Sequence, residues 1–153
     1  MKVKLLSPGA KEPTRAEEGA AGYDLYAPND FVVNPGRSVL QLDIKIELDR
    51  GTEGQIRPRS GFSLKGMEGY SMNDLDTPKR FDAEVLLGTI DESFRGIVGV
   101  IIKSYENEPF IIKSGTRVAQ MVIEHYCSDP FEVVAELSET SRGEGGFGHT
   151  GTK

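Results

Sequence analysis

Between Leu40 and Leu48 the chain alternates strictly, with Leu40, Leu42, Ile44, Ile46 and Leu48 set against Gln41, Asp43, Lys45 and Glu47. A period of two puts every second side chain on the same face of a strand, so one face is apolar and the other wet. A strand covered on one side only belongs to an antiparallel sheet, not to a parallel sheet buried between helices. Composition points the same way. The 153 residues include 18 glycines and 8 prolines, enough to break the chain into many short segments, and only 37% are hydrophobic. That balance suits a β-rich domain, or a subunit that completes its core by oligomerising.

Further strands are expected at residues 2–6, 21–28, 83–87, 97–102, 110–112, 117–123 and 131–137. Turns are expected at Ser7-Pro8-Gly9, Asn34-Pro35-Gly36 and Asp49-Arg50-Gly51, where Gly, Pro, Asn and Asp cluster. Residues 66–80 show no period; they read as a long surface loop or as an excursion inserted between two strands. Loops of that length are usually functional or mobile.

The length fits one domain that buries about two-thirds of its unfolded surface. A net charge of −6 argues against non-specific nucleic-acid binding, because the phosphate backbone repels an acidic surface. It leaves room for a small anion held by a local group of arginines. The single cysteine, Cys127, excludes an intrachain disulfide and is expected as a small buried hydrophobe. The opening MKVKLLSPGAK lacks the apolar run of a signal peptide, and no stretch approaches 18 apolar residues. The expectation is a soluble, cytoplasmic protein without a membrane segment.

Several stretches carry chemistry. Residues 88–96, GTIDESFRG, look like a β-hairpin tip bearing an acid (Asp91), a ring (Phe94) and a guanidinium (Arg95). Loops held by rigid strands concentrate binding groups, although a tip whose charges face water has the same composition. In AGYDLYAP, Asp24 sits mid-strand, where Asp is depleted; it is either on the solvent face or in a site. In RPRSG, Ser60 as an N-cap and Arg59 as a planar fork make an anion site, or a capped turn with solvated arginines. Gln120, embedded in RVAQMVI, needs a partner in the core or a ligand. The glycine-rich tail after Ser138 reads as a disordered end, yet Arg142, Phe147, His149 and Thr150 are what a lid over an aromatic, phosphorylated ligand would contain.

Taken in order, AGYDLYAP, RPRSG, GTIDESFRG, RVAQMVI and RGEGGFGHTG resemble the five motifs of the trimeric deoxyuridine triphosphatase family and span residues 21–151. The resemblance implies an all-β, jelly-roll-like β-barrel subunit over residues 1–137, with an inserted loop at about 66–85, and a C-terminal arm over 138–153 that closes the active site. It implies a homotrimer with shared active sites, hydrolysing dUTP to dUMP and pyrophosphate with Mg²⁺ on the triphosphate. By motif position, Asp91 holds the water that attacks the α-phosphorus. Arg59, Ser60, Gly61 and Gln120 hold phosphate oxygens, the backbone of Gly88, Thr89 and Ile90 reads uracil, and Phe94 packs on the sugar. Arg142 meets the γ-phosphate, Phe147 covers the base, and Gly148 and Thr150 contact phosphates. Asp24 supports the metal end indirectly, through water or a neighbouring arginine, and Arg95 is structural.

Three departures stand out. Phe94 replaces the usual tyrosine, His149 the usual serine, and the spacing from Ser60 to Asp91 exceeds the family norm. The excess lies within 66–85, between two motifs, where it can shape the site, contact a neighbouring subunit or bind a separate protein partner. Two other readings use the same scaffold: a regulatory binder gated by nucleotide, and a dCTP deaminase with Glu84 or Glu92 as acid/base.

Overall fold

The computed structural model describes residues 1–146, among which there are thirteen strands and one short helix. In chain order these are β1 (Lys2–Leu5), β2 (Gly22–Tyr26), β3 (Phe31–Val33), β4 (Gly36–Gln41), β5 (Ile44–Glu47) and β6 (Thr52–Arg57). Then come α1 (Ser60–Lys65), β7 (Met67–Ser71), β8 (Asp74–Phe81), β9 (Ala83–Val85), β10 (Gly88–Ile90), β11 (Gly99–Ser104), β12 (Phe110–Ile112) and β13 (Arg117–His125). Four antiparallel sheets result, with strand orders β10-β6-β13-β2, β3-β12-β7-β8, β4-β11-β9 and β1-β5. The fold is all-β and jelly-roll-like, its strands shared among separate sheets instead of closing one cylinder. Among the described residues no helix is long and apolar enough to cross a membrane.

The alternation of residues 40–48 survives intact, with Leu40, Leu42, Ile44, Ile46 and Leu48 all buried. The expected single strand is nevertheless two. Asp43 takes φ 53°, a left-handed conformation that Asp tolerates better than most L residues. The chain bends there. Val98 bridges the bend, its C=O accepting from Leu42 N–H and its own N–H donating to Ile44 C=O, both at 2.9 Å. β4 therefore joins β11 in one sheet, while β5 joins β1 in another.

Four other expectations change. Residues 88–96 are not a hairpin tip, because β10 pairs with β6 and β11 pairs with β4 and β9. The alternate residues Val98, Val100 and Ile102 are buried in the β11 sheet, so the corner carries the chain from one sheet to another. Of the two readings of residues 66–80, the irregular loop falls and the excursion stands: residues 66–81 are an ordered hairpin, β7 turning at Met72-Asn73 into β8. Met67 at its base is fully buried, and the Phe81 ring stacks on Phe110 with centroids 4.3 Å apart. The third is the segment 131–137, which forms no strand; Phe131 and Val133 are fully exposed there. Alternating composition supplies a face but not a neighbour, and this segment has no strand beside it to accept its backbone hydrogen bonds. Cys127 is likewise exposed, since it lies just past the end of β13.

Candidate active site

β13 is the spine of the site. Gln120 lies opposite Asp24 of β2 on one side and opposite Arg57 of β6 on the other. Directly opposed residues of antiparallel strands point to the same face, so these three side chains form a row. Their neighbours Leu25, Ile56 and Met121 take the other face and are buried in the core. Beyond β6 the chain passes through Pro58 and Arg59 into α1, whose first residues are Ser60 and Gly61. An open pocket of about 670 Å³ is lined by Asp24, Arg57, Arg59, Ser60, Gly61 and Gln120, and the loop around Glu17 and Ala20 walls its far side.

Asp24 is buried, and both its oxygens accept from guanidinium groups: Oδ1 from Arg59 Nε at 2.9 Å, Oδ2 from Arg117 NH1 at 3.1 Å. Arg59 is thus held rigidly, with further N–H donors left over. Gln120 Nε2 donates to the Pro58 carbonyl at 2.9 Å, which ties β13 to the turn before α1. Its Oε1 lies over Gly22, where a Cβ would come within 2.2 Å of it; only glycine leaves room for this amide. Ser60 is not the N-cap expected from sequence. Arg59 takes that position, with no side-chain cap bond, and Ser60 opens the helix, so its hydroxyl stays exposed beside the pocket. The first amides of any helix have no acceptor within it.

Asp91 stands elsewhere. β10 runs antiparallel to β6 with Ile90 opposite Gly54, so Asp91 lies toward the Glu53 end of β6 while Arg59 lies past the Arg57 end. At about 3.3 Å per residue the two are roughly 20 Å apart along the strand. Asp91 is exposed, and Phe94 N–H donates to its carbonyl at 3.0 Å in a tight turn. The half-exposed Phe94 ring lies over Gly96, where a Cβ would fall 2.5 Å from Cζ. Arg95 NH1 donates to the carbonyls of Glu92 and Phe94, so it braces this corner from within.

Sequence reasoning missed Glu92 and Arg117 as supports. Glu92 Oε2 accepts the Gly51 N–H at 2.5 Å. That bond, with help from the Tyr126 hydroxyl, holds the Glu92 carboxyl below its ordinary pKa, and the hydrogen bond to Glu92 in turn raises the pKa of Tyr126. Arg117 lies 93 residues from Asp24, and no local pattern announces such a pair. Of the arm, Arg142 is described and donates from Nε to the Gly145 carbonyl at 2.8 Å, away from the pocket. Phe147, Gly148, His149 and Thr150 lie outside the described residues.

An all-β, jelly-roll-like chain that brings a guanidinium, a hydroxyl and a primary amide to the lining of one pocket defines a class: β proteins chemically suited to phosphate oxygens. Residues 9–151 match the dUTPase family. Deoxyuridine 5'-triphosphate nucleotidohydrolase of Clostridium tetani (strain Massachusetts / E88) is 42% identical over 152 residues, covering 99% of this chain and 96% of that protein. The mitochondrial enzyme of that name from Homo sapiens is 39% identical, over 99% of this chain and 54% of that one. Among solved structures, the dUTPase of Staphylococcus bacteriophage 80alpha with dUPNHPP superposes with a TM-score of 0.80 at 27% identity, covering 98% of this chain and 97% of that one. The chain belongs to the dUTPase family, a family of hydrolytic enzymes.

Proposed function

We propose that the protein hydrolyses dUTP to dUMP and pyrophosphate in a homotrimer whose sites are shared between copies. One observation carries this reading: the acid and the phosphate-suited pocket, both intact, lie at opposite ends of β6. A pocket from one copy and the Asp91 corner of another would together make the complete site.

In this reading Arg59 and Gln120 hold phosphate oxygens by charge-assisted hydrogen bonds, helped by the Ser60 hydroxyl and the Gly61 amide. The backbone of Gly88, Thr89 and Ile90 pairs with the uracil edge, and Phe94 packs on deoxyribose, where a 2′-hydroxyl would collide. Asp91 holds a water in line with the α-phosphorus. The water oxygen bonds to that phosphorus as its proton passes to the Asp91 carboxylate, the bond to the α,β-bridging oxygen breaks, and pyrophosphate leaves. A carboxylate is a weak base, so positioning and charge neutralisation supply most of the acceleration. Arg142, Phe147, Gly148 and Thr150 would close the site as a lid.

Both oxygens of Asp24 are taken by arginines, and among the described residues no group of three or more His, Cys, Asp or Glu side chains is placed to hold a metal. These residues therefore fit a Mg²⁺ that arrives on the triphosphate and keeps its waters, as Mg²⁺ commonly does in nucleotide sites. Bound there, it would neutralise phosphate charge, and Asp24 would act on it only through Arg59 and water.

The test is pyrophosphate release from dUTP, UTP, dCTP and dTTP compared side by side. Release from dUTP alone is expected; equal release from UTP would remove Phe94 from its role, and none from dUTP would overturn the proposal.

A further inference from the structure

The hairpin β7–β8 walls a second cleft, of about 470 Å³, lined by Tyr26, Arg59, Phe62, Glu68, Arg80 and Arg117 beside the turn at Gly115-Thr116. Arg59 lines both this cleft and the 670 Å³ pocket, so the two spaces adjoin through one guanidinium. A further cation reaches the rim. Lys11 Nζ lies 5.3 Å from the centre of the Tyr26 ring and 3.2 Å from where a Cβ on Gly115 would stand. Arg59, Arg80, Arg117 and Lys11 thus face Asp24 and Glu68, a local excess of positive charge in a chain whose net charge is −6.

The arginines are not used up. Arg80 pairs across the hairpin with Glu68, NH2 to Oε2 at 3.1 Å, and NH1 reaches the Gly66 carbonyl at 3.3 Å. Arg59 and Arg117 each commit one nitrogen to Asp24. A guanidinium carries five N–H donors in a planar fork that matches phosphate oxygens. The Glu68–Arg80 pair is about half exposed on both sides, and such surface pairs hold weakly enough for a multivalent anion to displace the carboxylate.

We propose that this cleft is a second oxyanion site for phosphate-class anions, with Arg80 and Lys11 as its own ligands and Arg59 as its link to the nucleotide pocket. Binding there does not depend on the activity proposed above. What rests on that activity is the consequence: released pyrophosphate occupying the cleft would take up the spare N–H donors of Arg59 and inhibit turnover even at saturating dUTP.

The experiment is calorimetric titration of the full chain with pyrophosphate, in wild type and in Arg80→Ala, Lys11→Ala and Glu68→Gln. Wild type should show a pyrophosphate site that weakens about tenfold in Arg80→Ala and Lys11→Ala, as loss of a charge-assisted bond predicts, and tightens in Glu68→Gln. A gain of affinity in the last variant cannot come from misfolding. No pyrophosphate binding in wild type, or affinities unchanged in Arg80→Ala, overturns the proposal whether or not dUTP is hydrolysed. Inorganic phosphate titrated into the same variants separates the sources. Equal affinity assigns the cleft to a single phosphate group from solution, a preference for pyrophosphate assigns it to the product, and either supports the site.

Discussion

Asp24 shows why a carboxylate sits in the middle of a strand. Its side chain is only 10% exposed, and the charge is tolerable because two guanidinium groups answer it. Asp24→Asn should leave Arg59 and Arg117 under-compensated and cost about 3 kcal/mol, the low end for breaking a buried pair because both arginines reach solvent. Urea unfolding measures it; a loss below about 0.5 kcal/mol, typical of surface changes, would mean that the pair is idle. Asp91 contrasts with it. Being exposed, Asp91→Asn should leave melting unchanged while lowering dUTP turnover about 10²- to 10⁴-fold, the range for a positioned general base. Glu92 adds a pH dependence. Its folded pKa is depressed, chiefly by the Gly51 N–H, below the ordinary value of 4.5. The stability it contributes is therefore fully present above that value and fades as pH falls through the depressed one. Glu92→Gln should lower stability on the neutral side and flatten the acid limb of the curve below about pH 5, so that the two proteins converge in acid, measured by urea midpoints.

At the scale of elements, the corner after β10 and the hairpin β7–β8 are the places where pattern and fold part company. The period of two in residues 40–48 was readable because each apolar side chain is buried, and the break at Asp43 was not, because a bend keeps the same alternation. β8 was hidden for a different reason. Its central residues are exposed on both faces, so Asp, Pro, Lys and Arg fill an edge strand, and charges with Pro on an edge discourage pairing with other chains. The residues of the pocket were legible as motifs, since Arg59, Ser60 and Gly61 are adjacent in the chain. Arg117 was not, because its tie to Asp24 exists only once β13 lies beside β2. Residues 126–146 form no strand and Phe131, Val133 and Leu137 stay exposed, so deleting residues 142–153 should shift the unfolding free energy by less than about 0.5 kcal/mol. Activity should nevertheless fall sharply if the arm is a lid; a truncated protein that melts early would show instead that the arm is part of the core.

For the whole molecule, the decisive quantity is the separation of roughly 20 Å between Asp91 and Arg59 along β6. No side-chain rotamer closes such a gap. Either each site is built within one chain without joining these two groups, or a second copy supplies the missing half, and those alternatives differ in a mixing experiment. Take Asp91→Asn, which spoils the acid, and Gln120→Glu, which sets a carboxylate among phosphate oxygens. Each homogeneous assembly should be inactive. Unfolded together in equal amounts and refolded, the two variants distribute at random among cyclic assemblies. If each site takes its acid from one copy and its pocket from another, a site is intact with probability one half for each, so about a quarter of wild-type activity should return. Sites built within one chain cannot be repaired by mixing and would stay silent. Analytical ultracentrifugation of the same mixture supplies the control, because recovery without a species of three times the chain mass would assign the sharing to some other assembly.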